Sequence, residues 1–442
     1  MTTTSSSSAA LSGGATRNAA WRIVLLLCLI NIINFLDKSA LGLVAVPIRE
    51  EYGLTPSQFG MIGSAFFLVF AVSAAGLSWL GNRFSPRWLL FGMVILWSVL
   101  QLPIAVSGSV ALLVVARMAL AMVEAPSLPL SQMVLHQWFP DKLRQTPTMV
   151  FHASGPIGAI LVIPILTVLI ALLGWRSLFF VLAVAGIVVA ILWGLFSKNG
   201  PVTDTNAHND TTTAAPPQAA VPYRTILRSG TFLGAAAALF VAQWSIAVGS
   251  AWIPAYFEEG LGFDAGDAGV LVAVMYVFIT VGLILYGVVS QRRSARGIAS
   301  REARVLPLAT MMVVAAVIVI GSTLIGIPLV SALVLGLGLS LAQGGFGIGT
   351  VVLGEIVPQA QRAAVIGIMV TLGAVGAILA PTVFGFLVES SSTTLAGYHH
   401  AWWLTAVVFV VMAFAITRLI RTDRDGAIYA AAAARRADSV VN

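Results

Sequence analysis

Four charged side chains lie where charge is costly. Asp37 and Lys38 sit inside an apolar stretch at 22–47, and Arg117 and Glu124 inside another at 110–134. A charged side chain at the centre of a membrane helix costs about 2.5–3.5 kcal/mol on insertion, so four facing lipid would cost roughly 10 kcal/mol. They must therefore face a bundle interior or a water-filled cavity. Arg117 and Glu124 are seven residues apart, about two helical turns, which places them on one face about 10 Å apart. Asp37 and Lys38 are adjacent and diverge by about 100° around a helix, so a single partner does not easily serve both. Two acids and two bases around one cavity suit the movement of an anion together with a proton. The bases bind an anion, and an acid takes up a proton when its basic partner is diverted, because a neighbouring cation favours the carboxylate and desolvation favours the neutral acid. The plainer alternative is a pair of salt bridges that only hold two helices together. It is weakly motivated, since buried ion pairs stabilise poorly compared with apolar packing.

Other polar residues in apolar stretches are less specific. His152 lines the same cavity or makes an ordinary hydrogen-bonded helix contact, and the sequence leaves both readings open. Gln243, Trp244, Tyr276 and Gln343 supply an opposite wall or, more simply, bundle packing. The glycines at 336, 338, 344, 345, 347 and 349 read first as close helix packing and second as a pivot. His399 and His400 have no ligand-like neighbours in sequence, and Cys28 is the only cysteine, so no metal site is expected.

The elements that must hold these residues follow from composition. Of 442 residues, 59% are hydrophobic and 9% charged, with a mean hydropathy of +0.96. Soluble domains carry about 25% charged residues, so a soluble enzyme, a disordered chain and a disulfide scaffold are all disfavoured. Stretches long enough to cross about 30 Å of hydrocarbon fall at 22–47, 58–80, 88–108, 110–134, 148–171 and 175–197, then at 231–256, 268–290, 305–326, 328–352, 363–388 and 401–420. In lipid such stretches are helices, because open strands leave backbone groups unpaired. With the N-terminus inside, 20 of the 24 Lys and Arg residues fall on the cytoplasmic side and only Arg49 and Arg176 on the other. That asymmetry supports the count and places both termini in the cytoplasm. It also explains the net charge of +7 without invoking nucleic acid.

The expected organisation is a disordered N-terminus at 1–20, a six-helix bundle at 21–197, a Thr-, Asn- and Pro-containing cytoplasmic linker at 198–230, a second six-helix bundle at 231–420 and a cytoplasmic tail at 421–442. Weak repetition relates the halves. Asn82-Arg83-Phe84-Ser85-Pro86-Arg87 after the second span matches Gln291-Arg292-Arg293-Ser294-Ala295-Arg296 after the eighth. Gly158-Ala-Ile-Leu in the fifth matches Gly376-Ala-Ile-Leu in the eleventh. Parallel repeats of this kind are a known transporter architecture. The fold class is thus an all-α membrane protein of 12 transmembrane helices in two pseudo-symmetric six-helix bundles. Arg83, Arg87, Arg292 and Arg296 are candidate gating-loop residues.

At these residues the chain resembles the major facilitator superfamily, in its anion:cation symporter branch. The resemblance rests on Asn34-Phe-Leu-Asp-Lys-Ser39, on Arg117-Met-Ala-Leu-Ala-Met-Val-Glu124-Ala125 with Pro129, and on Gln137-Trp138-Phe139-Pro140 followed by Arg144. It implies that Asp37 and Glu124 carry protons, that Arg117 anchors a carboxylate or sulfonate, and that Lys38 is the switching partner of Glu124. It implies import of a small organic anion across the cell inner membrane by a monomer, driven by the proton gradient with no other cofactor. Lys38 replaces the branch's usual Arg, keeping charge and losing bidentate geometry. Asn82 and Ser85 replace the loop motif's Asp and Gly. Val370 and Ala374 stand where the branch often has Asn, which favours a compact or aromatic organic acid over a heavily hydroxylated one. Gly155-Pro156-x-Gly158 is faintly similar to an exporter motif, so proton-coupled export is the alternative. An enzyme is not expected, because no nucleophile–base pair is evident.

Overall fold

The computed structural model describes residues 14–77, 83–139, 143–201 and 221–441. Asn82, Pro140, residues 1–13 of the expected N-terminal segment and 202–220 of the expected linker lie outside the described residues. Among the described residues, 12 helices are long and apolar enough to cross a membrane. Spans one to six are Arg17–Leu43, Pro56–Ala74, Pro86–Ala105, Val110–Trp138, Gln145–Leu173 and Arg176–Phe196. Spans seven to twelve are Gly230–Gly260, Ala265–Ala295, Arg301–Ser322, Pro328–Ile356, Gln359–Glu389 and Thr394–Leu419. The fold is all-α, with no strand among the described residues.

Several boundaries differ from the sequence expectation. The first helix begins at Gly14, inside the segment expected to be disordered. His399 and His400 fall inside span twelve rather than in a loop. The tail is a helix, Thr422–Val441, and the linker's end is folded, with a short helix Tyr223–Leu227. Span four is interrupted at Ala125–Pro126, where proline withholds an N–H from the Met122 carbonyl. Span ten is interrupted by a 3-10 turn, Ala342–Gly344. There a Cβ on Gly345 would lie 2.2 Å from the Ala238 carbonyl oxygen, which is the close packing expected first of this glycine-rich run.

Contacts divide the chain into two compact units. One comprises the described residues of Met1–Ala40 and Val69–Ala214, the other those of Leu41–Leu68 and Ala215–Asn442. In the first, span three packs most extensively on span six, with Trp97 and Trp193 fully buried. Trp193 Nε1 donates to the Arg87 carbonyl at 2.9 Å, and Arg87 Nε donates to Ser197 Oγ at 2.8 Å. Asn31 Nδ2 ties span one to span five through the Phe151 carbonyl at 3.0 Å and Ser154 Oγ at 3.1 Å.

In the second unit spans seven and eleven share an extensive interface. The expected bundles, 21–197 and 231–420, follow the chain, whereas the contacts group Leu41–Leu68 with the second half. The reason is polar and aromatic together. Arg49 Nη1 donates to both oxygens of Glu259 at 2.9 Å, and Tyr398 Oη donates to Glu259 Oε2 at 2.7 Å. Phe59 packs edge-on against Trp252 with centroids 5.4 Å apart, and Thr382 Oγ1 donates to Ser64 Oγ at 2.7 Å.

The C-terminal helix docks on the start of span seven. Asp425 Oδ2 accepts from the Thr231 N–H at 2.7 Å, and the Tyr429 and Ser229 hydroxyls lie 2.6 Å apart. Gln361 clamps both polar groups of the Val221 backbone, at 2.9 and 2.8 Å. Burial pushes the Asp425 carboxyl up, but hydrogen bonds from Arg424 and Thr231 outweigh it and hold the group below its ordinary value. A depressed carboxyl contributes stability that is complete above the ordinary Asp value and is lost as pH falls through the folded-state value. Asp425→Asn is therefore expected to destabilise the protein at pH 7 by about 1 kcal/mol, the usual cost of a lost cap. In thermal unfolding across pH, the gap to the unmodified chain should persist down to about pH 4 and close below it. A second test concerns span packing. A Cβ on Gly376 would lie 2.2 Å from the Phe240 carbonyl oxygen, whereas one on Gly347 meets nothing within 4 Å. Gly376→Ala is expected to cost about 1–3 kcal/mol by overpacking, and Gly347→Ala to cost nothing, by the same measurement.

Candidate functional site

The first helix carries Asp37 and Lys38 in its last third, less than two turns before its end at Leu43. Span four carries Arg117 and, as the last residue before its interruption, Glu124. All four belong to the first unit. Asp37 and Glu124 are 0% exposed and Arg117 is 2% exposed, while Lys38 is half-buried. Each acid lies in the electrostatic field of the other and of both bases. The four charges expected from spans one and four are thus brought to one site.

Their bonding is specific. Arg117 Nη1 donates to the main-chain carbonyl of Asp37 at 3.3 Å. Asp37 Oδ1 accepts from Gln101 Nε2 of span three at 2.6 Å. Lys38 Nζ donates to Asn34 Oδ1 one turn back at 2.8 Å and sits 4.6 Å from the centroid of Phe70. In this conformation Lys38 is therefore held by Asn34 and an aromatic face, and both oxygens of Glu124 are buried with no bond from a base or an amide, the carboxyl instead lying in side-chain hydrogen-bond contact with that of Asp37. Asp37 Oδ2, Gln101 Oε1 and Asn34 Nδ2 are also buried without partners. Buried polar atoms without partners are rare, and here they concentrate around one pair of carboxyls. Chemically, such a set offers a cation to an anion at Arg117 and two carboxyls able to take up and release protons.

Gln101 was not among the residues singled out from the sequence. Its signal was present: an amide about one turn before the end of Pro86–Ala105, a largely apolar span. His152 is exposed on span five, with Nε2 3.0 Å from Gln132 Nε2. The other candidates lie in the second unit. Trp244 is buried there, donates to Thr405 Oγ1 at 3.3 Å and stacks on Phe240. Gln243 is half-buried on the same helix. Tyr276 is buried in span eight, and Gln343 is buried in the turn that interrupts span ten. Of the four arginines expected in gating loops, Arg87 lies instead in the first turn of span three, bonded to the end of span six as described, and Arg292 in the last turn of span eight with Arg296 as its cap, because the helices run past the expected span ends; Arg83, Arg292 and Arg296 are exposed. Trp138 Nε1 donates to the Lys198 carbonyl at 3.2 Å. Arg144 donates to the carbonyls of Phe139 at 2.8 Å and His136 at 3.2 Å, which serves the end of a helix whose last carbonyls lack partners.

A family model described as Major Facilitator Superfamily matches residues 27–349. The chain belongs to the Major Facilitator Superfamily. It is 28% identical over 396 residues to a protein named as a probable sulfoacetate transporter of Cupriavidus necator, covering 83% of this chain and 87% of that one. It is 24% identical to the hexuronate transporter of Bacillus subtilis, covering 90% and 94%. In structure it is similar to a bacterial homologue of the human lysosomal transporter Spinster, with a TM-score of 0.75, 19% identity and 92% and 98% coverage. A D-xylose–proton symporter gives a TM-score of 0.73 at 15% identity, with 92% and 99% coverage. These two structures establish the fold. The chain is a multi-pass membrane protein and a secondary transporter of this superfamily, whose relatives are transporters rather than enzymes.

Removing one member of a buried, charge-compensated set leaves the others uncompensated, at a cost of about 3–5 kcal/mol. Arg117→Met is expected to cost this much in thermal unfolding of the purified protein, and adding Asp37→Asn to the same chain to restore part of it. Lys38→Met is expected to cost less, because Lys38 is half-buried and held by a neutral amide.

Proposed function

We propose that this superfamily member imports a small organic anion, a carboxylate or sulfonate, together with protons, by alternating access across the cell inner membrane. The observation that carries this reading is the fully buried pair Asp37 and Glu124 beside the buried Arg117, with no bond from a base or an amide to either oxygen of Glu124. A buried carboxyl without such donors is tolerated as the neutral acid and costly as the anion. It becomes tolerable as the anion when a base is brought to it. Lys38, held here by Asn34, is the base within reach of that role, so proton release from Glu124 is tied to movement of Lys38. Arg117 presents a planar fork suited to a carboxylate or sulfonate. An anion drawn to Arg117 weakens its hold on Asp37, which then takes up a proton. That exchange links cargo to proton.

The substrate class is supported by the relatives, named for sulfoacetate and hexuronate, and by Val370 and Ala374, whose side chains offer no hydrogen bonds to hydroxyl groups. A compact organic acid fits better than a heavily hydroxylated one. Inward orientation with both termini cytoplasmic is supported by the one-sided distribution of Lys and Arg.

Reconstituted protein offered a panel of small carboxylates and sulfonates tests the reading by counterflow and by uptake under a pH gradient. Arg117→Ala is expected to abolish both. Asp37→Asn and Glu124→Gln are expected to lose accumulation under the gradient and to retain counterflow. Full accumulation by Glu124→Gln overturns the proton-site assignment.

A further inference from the structure

Gln101 is 1% exposed and reaches the proton site from span three, an element that contributes no charge there. Its Nε2 donates to Asp37 Oδ1 at 2.6 Å while its Oε1 has no donor. The groups that face Asp37 are thus Gln101 from span three, Arg117 and Glu124 from span four, and its own neighbour Lys38. Among them Gln101 is the one group that does not titrate, and a carboxamide is unusual in donating at one end and accepting at the other with nearly the same shape. An ionised Asp37 accepts only, which places the amide nitrogen on its side. A protonated Asp37 has an O–H to give, and the free Oε1 is the acceptor that a half-turn of the amide would bring to it.

We infer that Gln101 is a positioning residue of the proton site, whose amide donates to Asp37 when it is ionised and, turned over, accepts from Asp37 when it is neutral. The inference rests on the reading of Asp37 as a proton carrier. The step balances simply: a proton from water adds to one Asp37 carboxylate oxygen, the new O–H bonds to Gln101 Oε1, and release reverses both. A fixed cation at 101 would favour the anion throughout, and an apolar side chain would leave a buried carboxylate without this donor. The amide keeps one hydrogen bond in both states, so neither loading nor release strands a buried group.

The test pairs infrared difference spectroscopy with transport. The carboxylic-acid C=O stretch of Asp37 is identified as the band lost in Asp37→Asn. In Gln101→Met this band is expected to move to higher frequency, because the acid O–H has lost its acceptor. Accumulation under a pH gradient should fall at least about tenfold, the scale of a lost hydrogen bond to a charged group, while counterflow changes by less than about twofold. Gln101→Lys should lose the acid band altogether. If Gln101→Met does not fold, the unmodified protein carries the test. A glutamine amide band, assigned by its isotope shift in protein labelled at the glutamine side-chain carbonyl and by loss of that shifted band from labelled Gln101→Asn, must appear at the same pH as the Asp37 acid band, and its absence overturns the inference. An unshifted acid band and normal accumulation in Gln101→Met also overturn it, and leave the proton-carrier reading standing. Normal accumulation in Asp37→Asn removes that reading and this one together.

Discussion

Charge inside a hydrocarbon layer has to be compensated within a few ångströms, and the organisation of the first unit follows from that requirement. Asp37, Arg117 and Glu124 are withdrawn completely from the surface, which demands that spans one and four bring their charged turns to a common level. Span three then has to supply Gln101, because the two acids need more donors than Arg117 and Lys38 provide. The interruption of span four just beyond Glu124 frees backbone groups in the same region. An arrangement held this tightly at Asp37 and this loosely at Glu124 is unevenly satisfied. In the proposed cycle, that unevenness lets two protonation states compete.

The second unit uses charge differently. Arg49, Glu259 and Tyr398 form a closed set in which each partner satisfies the others. Its surroundings are aromatic, with Trp252, Tyr256, Phe384 and Trp402 in mutual contact. Bidentate geometry against an apolar wall favours a single conformation. Asp425 likewise spends its carboxylate on the Thr231 N–H and Arg424, fixing the C-terminal helix to span seven. These polar groups have structural roles, with the carboxylate oxygens of Glu259 and Asp425 all bonded and Arg49 Nε left without a partner, and they contrast with the carboxyls of the first unit.

The glycines show how backbone approach complements these polar contacts. Gly376 lets span eleven approach the Phe240 carbonyl of span seven, and Gly345 lets span ten approach Ala238. Between membrane helices there is little hydrophobic gain in exchanging lipid for protein, so close approach of small residues carries much of the association. The extensive interface between spans seven and eleven agrees with this.

Composition and charge placement alone determined the twelve spans, their helical state and the four misplaced charges, because lipid admits few alternatives and penalises each error by kilocalories. The fragments 117–125 and 34–39 were enough to suggest the family. Tertiary structure decided the rest. That Lys38 rests on Asn34 and Phe70 rather than on Glu124, that Trp244 bonds to Thr405, and that Leu41–Leu68 groups with the later helices are matters of which faces meet. Gln101 was legible as an isolated amide, but its partner 64 residues earlier was not. Hydropathy is a property of each segment, whereas a hydrogen bond between segments depends on rotation and depth that no local pattern encodes.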